Sequence, residues 1–148
     1  MVKALVVATI AWPILLGGAL EARIHQTAPI FVTAVYVAAS RVCHQNPQRS
    51  FHTAGVRWPV CGRCTGLYLG GALGALAAVA WRRRRFEAPR LLVWLAIAAV
   101  PTAVTYAIEK GGLVAVGNEA RFLAALPLGA LVAIVIIRTA AGPAAAIE

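Results

Sequence analysis

The chain has 148 residues, 61% of them hydrophobic, and a mean hydropathy of +0.79. A soluble domain is closer to half apolar, so composition indicates one integral membrane domain. The formal charge of +9 comes from 14 Lys and Arg against five Glu and no Asp. In so apolar a chain that surplus flanks membrane spans and meets anionic lipid, and it does not indicate nucleic acid.

Ala4 to Leu20 carries no charge and, at seventeen residues, is just long enough for a first span. Lys3 before it and Gly18-Ala19 near its end resemble a secretory leader. No A-x-A cleavage site follows, so the expectation is a retained helix. Glu21 to Gln26 is a polar connector. A second helix is expected from near Ile24 to Val42, because the fifteen residues from Ala28 would be too few to span. A polar loop from Cys43 to Pro59 leads into a third span, Pro59 to Trp81. There Gly66, Gly70 and Gly74, continued by Ala78, make a smooth stripe that lets another helix backbone come close. Arg82 to Arg85 form a dense basic block, with Arg90 beyond. Leu91 to Ile108 and Ala120 to Ile137 are the fourth and fifth spans. Pro101 and Pro127 lie mid-span, where neighbouring helices can re-satisfy freed carbonyls.

The expected fold class is therefore all-α, an integral membrane bundle of about five transmembrane helices with a Cys/His-containing extramembrane loop. Residues 1–148 form a single domain, with 1–22 a first helix outside the core, 24–138 the core, and 139–148 a short frayed tail. The arginine block reads as cytoplasmic. The 43–59 and 109–119 loops and the amino terminus then face the extracytoplasmic side. Seven basic residues fall on each side in this arrangement, so the dense block decides it. Two spans separate the two loops, which therefore share a side whichever way the chain inserts.

All three cysteines lie within 22 residues, together with His44 and His52. Cys61-x-x-Cys64 puts two sulfurs close enough to grip one ion. Cys43 and His44 could complete a tetrahedral set suited to zinc, and sulfur ligands also admit iron or copper. Cys43 and His44 are adjacent and both bind only if the backbone bends between them, so His52 is an alternative to His44. Pro59 reads as a helix start. Cys61 and Cys64 would then occupy the first turn, where free N–H groups, the helix dipole and Arg63 favour thiolates. An odd number of cysteines excludes a fully paired disulfide framework.

Cys43-His44-Gln45, Arg49-Ser50-Phe51-His52, and Pro59-Val60-Cys61-Gly62-Arg63-Cys64-Thr65-Gly66 with Tyr68 and Gly70 resemble a family of small bacterial membrane proteins known as domain of unknown function 2085. The resemblance extends to Asn118 and Arg121 and covers about residues 40 to 130. Glu109 stands where an acidic residue, usually Asp, is expected. The resemblance implies a membrane location and a helical fold, and it implies no particular reaction.

Thr102, Thr105, Tyr106 and Glu109 share one face of the fourth span, and Asn118 and Arg121 open the fifth. An ionisable residue in a span is a functional candidate. Glu109 is a candidate general base, with pairing to Arg121 as the structural alternative. Guanidinium forks match phosphate and carboxylate. Arg49, Ser50, Arg63, Thr65, Asn118 and Arg121 are accordingly the candidate ligand contacts, whereas Arg57 reads as a contact to lipid phosphates.

Three functions fit these residues. One is a metal-dependent site at the membrane surface that binds or acts on an anionic, lipid-like or small-molecule ligand. Another is a quinone-linked thiol-disulfide oxidoreductase using Cys61 and Cys64, with Cys43 as shuttle. The third is a non-enzymatic metal-stapled scaffold or transporter subunit.

Overall fold

The computed structural model describes residues 1–81, 88–112 and 114–141. The Arg82 to Arg85 block and the end of the tail lie outside them. The described residues form five α-helices and one β-hairpin: α1 (Val2–Ile24), α2 (Pro29–Ser40), a 3₁₀ turn (Pro47–Arg49), β1 (Ser50–Thr53), β2 (Val56–Cys61), α3 (Gly62–Ala80), α4 (Ala88–Lys110) and α5 (Asn118–Ala141). The helical bundle is the expected one. Residues 139–141, assigned to a frayed tail, still belong to α5.

Four helices, α1, α3, α4 and α5, are long and apolar enough to cross a membrane. α2 is not. Its 12 residues rise only about 18 Å against a hydrocarbon core of about 30 Å. The shortening follows from Pro29, which disfavours helical geometry at the residue before it. Ala28 adopts a left-handed φ of 46° and Gln26 one of 55°, so the chain reverses there and α2 restarts with proline in its first turn. α2 buries Val35, Tyr36 and Ala39 against α1 and the hairpin and leaves Ile30 and Val37 exposed.

This shortening moves the amino terminus. Val2, Val6 and Ile10 pack against Ala75, Ala78 and Ile137 at the far ends of α3 and α5. At its other end α1 places Leu16 and Ala19 against α2, Cys43 and Val60. The amino terminus therefore lies at the opposite end of the bundle from the cysteine segment, not at the same end as expected. Lys3 and Arg23 exchange ends, which leaves the basic count even.

The glycine stripe works as its spacing implied. A Cβ built on Gly66, Gly70 or Gly74 would collide with the backbone carbonyl oxygens of Phe122, Leu126 and Ala130, and one on Gly129 with that of Leu67. α3 and α5 are thus in backbone contact along their length, and no other residue fits at these positions. α4 is the most peripheral span, held to α5 by Thr102 Oγ1 donating to the Ala124 carbonyl at 2.8 Å.

The segment before α3 is a hairpin, not a loop leading into a helix. Ser50 pairs with Cys61, His52 with Arg57, and Thr53 with Val56, and a register irregularity falls between Ser50 and His52. Ala54 and Gly55 both take positive φ, 49° and 75°, the backbone that a tight right-twisted hairpin turn needs. Pro59 is consequently a buried strand residue and not a helix start. α3 begins at Gly62, with Cys61 as its extended N-cap.

Candidate metal centre and the arginine cluster

The hairpin is tied down by side chains that reach the backbone of other segments. Gln45, at φ 46°, donates from Nε2 to the carbonyls of Tyr36 and Pro59, both at 2.8 Å. Arg57 Nη1 donates to the Gln45 carbonyl at 2.8 Å, and the Tyr36 hydroxyl donates to the Arg57 carbonyl at 2.7 Å. On the other side Asn118 Nδ2 donates to the Ser50 carbonyl at 3.0 Å, and Phe51 packs edge-on against Phe122 of α5. Arg57 is thereby committed within the protein, where the sequence pointed to lipid phosphates. Gln45 and Tyr36, which this lacing relies on, carried no role in the sequence. The signal available was only the polar Gln45 following a Cys-His pair.

These bonds bring Cys43, at the end of the α2 segment, onto Cys61 and Cys64 at the start of α3. The three sulfurs lie within 4.8 Å of one another. All three are free thiols; Cys43 is buried and the other two are half-buried. The Cys61 backbone N–H donates to Cys43 Sγ at 3.2 Å. Hydrogen bonds from the Cys61 and Cys64 thiols, aided by backbone N–H groups and opposed by burial, hold the Cys43 thiol well below the usual thiol range. Leu16, Ala19, Val35, Tyr36, Ala39 and Val60 wall the triad on the α1–α2 side, with Trp12 and Tyr68 beside it.

Such a donor set fits a thiophilic ion. A tetrahedral zinc with Zn–S bonds of about 2.3 Å sets its sulfurs about 3.8 Å apart, inside the 4.8 Å within which the three sulfurs lie here. His44 and His52 do not join the set. Both are exposed. The chain turns at Gln45, so Cys43 points into the bundle and its neighbour His44 points out. The irregularity in β1 takes His52 off the buried face that Ser50 occupies. Three protein ligands leave a tetrahedral ion with one position open.

A second cluster lies on another side of the same first turn of α3. Arg63 Nη2 donates to Glu109 Oε2 at 3.1 Å, and Arg121 Nε donates to Glu109 Oε1 at 3.0 Å. Arg121 Nη2 also bonds Oε1, and its Nη1 donates to Asn118 Oδ1 at 2.6 Å. Arg49 approaches the same carboxylate at 3.9 Å. The Arg63 guanidinium lies 5.6 Å from the Tyr106 ring centre, over its face, and 3.5 Å from Thr105 Oγ1. The face shared by Thr105, Tyr106 and Glu109 thus forms as the spacing implied. Glu109 has both oxygens engaged by guanidiniums, so it acts here as the clamp that gathers three segments.

Ser50 and Thr65 are buried, and their hydroxyls donate to the carbonyls of Asn46 and Cys61. Their place is inside the scaffold. Asn118 is likewise engaged by Ser50 and Arg121. Of the expected ligand contacts that are arginines, Arg49 has only its 3.9 Å approach to Glu109, and Arg63 has only Nη2 engaged, on Glu109 and Thr105. The thiols face α1 and α2, Arg63 faces α4, and Gly62 and Gly66 between them face α5.

Comparison with known proteins finds relatives over part of the chain. An uncharacterised protein of Methanocaldococcus jannaschii is 37% identical over 90 residues, which is 60% of this chain and 57% of that protein. An uncharacterised protein of Methanothermobacter thermautotrophicus is 35% identical over 88 residues, 60% of this chain and 78% of that one. This chain thus spans little more than half of the first relative. Both relatives are archaeal, so the likeness is not confined to bacteria. No solved structure matches the chain. The model of the predicted membrane protein family DUF2085 matches residues 43–135, from the first thiol through most of α5, and the chain belongs to that family.

Proposed function

We propose that this membrane protein holds one zinc-like ion on Cys43, Cys61 and Cys64, and that the ion and the neighbouring arginines together serve an anionic, lipid-like ligand at the membrane surface. The observation that carries this reading is the convergence of three thiols from separate segments to within 4.8 Å. Side chains from both flanks hold that convergence in place. An open fourth position favours an ion that meets a ligand over one that only staples the fold, since structural sites are closed by four protein ligands. Such an ion polarises a bound oxygen or lowers the pKa of a bound water. Arg63, between two of the ligands, supplies positive potential beside it. The ligand end of the bundle is assigned to the extracytoplasmic side. In support, three of its basic residues are drawn together on Glu109, while in the sequence the unbroken arginine run comes just after α3.

Elemental analysis of the chain purified in mild detergent tests the reading. About one transition-metal ion per chain is expected. Protein with no stoichiometric metal and a Cys61–Cys64 disulfide instead would overturn it in favour of thiol-disulfide exchange.

A further inference from the structure

Around Glu109 three guanidiniums face one carboxylate. Arginine keeps its proton at any physiological pH, so the cluster carries two positive charges in excess. Three of the four side chains involved are largely shielded from solvent: 6% of Glu109, 9% of Arg121 and 18% of Arg63 is exposed. Uncompensated charge in such a place is costly, and a bound anion would offset it.

The three arginines differ in what they have left to give. Arg121 places Nε and Nη2 on Glu109 and Nη1 on Asn118. Arg63 places Nη2 on Glu109, while its Nε is buried with no hydrogen-bond partner. Arg49 is 47% exposed and reaches Glu109 only at 3.9 Å, so it stands on the open side of the cluster. The start of α3, the end of α4 and the start of α5 meet here, at one end of three candidate spans.

We infer that Arg49 and Arg63 form a clamp for a phosphate monoester or free phosphate, with Glu109 and Arg121 holding the clamp in position. A phosphate monoester carries about −1.5 to −2 at neutral pH, which matches the excess of two charges better than a carboxylate does. The free N–H of Arg63 and the fork of Arg49 offer the paired donors that phosphate oxygens accept. This inference rests on the reading of the site as one that receives an anion, and narrows it to a phosphoryl group and two residues.

The test is titration of the metal-loaded full chain in mild detergent with inorganic phosphate, short-chain phosphatidic acid and short-chain phosphatidylcholine. Phosphatidic acid is expected to bind and phosphatidylcholine not. Binding of inorganic phosphate as well identifies the oxyanion itself as the ligand, and its failure to bind identifies a lipid headgroup. Arg49→Ala is expected to weaken binding about tenfold or more with metal content unchanged. Arg63→Lys, which keeps the charge and loses the fork, is expected to weaken it too; if that variant does not fold, the half-exposed Arg49 decides alone. Absence of binding by the parent chain, or equal binding by Arg49→Ala, overturns the clamp. Arg49-dependent binding in protein devoid of metal would sink the metal reading and leave the clamp standing. Full metal content without such binding would do the reverse.

Discussion

At the scale of single residues, the thiols and the carboxylate do different work. In the proposed metal site Cys64 is one of three ligands, so Cys64→Ser should release the ion and lower the thermal midpoint well beyond a surface change, because metal binding contributes directly to folding. Metal content and melting of the purified variant check this together. Glu109→Gln keeps the shape but leaves three guanidiniums without their counter-charge. Breaking a buried pair in this way costs about 3–5 kcal/mol, against under about 1 kcal/mol for the exposed partner Arg49→Ala. Comparing the two melting curves in one detergent decides whether Glu109 is the clamp assigned here; a Glu109→Gln chain as stable as Arg49→Ala would remove that role. The residue types of both clusters could be read from the sequence. The exclusion of His44 and His52 could not, since it depends on a turn at Gln45 and an irregularity in β1 that move neighbouring side chains to opposite faces.

At the scale of elements, the stripe on α3 and the hairpin before it set the site. Gly70→Ala would drive a methyl group into the Leu126 carbonyl of α5. Overpacking usually costs about 1–3 kcal/mol, and backbone cannot yield as a side chain does, so the upper end is expected. Gly18, with open space around its Cβ position, is the control: Gly18→Ala should be neutral or slightly stabilising, as glycine in a helix interior costs about 0.5–1 kcal/mol relative to alanine. Thermal unfolding of both variants provides the check. The stripe was legible because a four-residue repeat of glycine has one common use in a membrane helix. The hairpin was masked by Pro59, which reads as a helix start, and by Ala54, an unusual residue for a left-handed turn position.

At the scale of the whole molecule, four spans and one short helix put the cysteine segment and the amino terminus at opposite ends. Cysteines engineered at Gln48 and at Lys3, both exposed, should therefore react with a membrane-impermeant reagent from opposite sides, Gln48→Cys in intact cells and Lys3→Cys only after permeabilisation. Labelling from the same side would mean that α2 spans after all; the inverse pattern would turn the protein over without altering the bundle. The sequence by itself determined the membrane class, four of the five expected spans, the close-packed face of α3 and the gathering of sulfur donors, because each is written in local composition or short-range spacing. Only the tertiary structure decided which donors meet. The thiols converge because Gln45, Tyr36 and Asn118 lace the hairpin to α2 and α5. Glu109 draws in Arg49, Arg63 and Arg121 because backbone contact between α3 and α5 fixes where α4 can end. Partners as far as 68 residues apart, such as Asn118 and Ser50, are chosen by packing, and no local pattern in the chain encodes that choice.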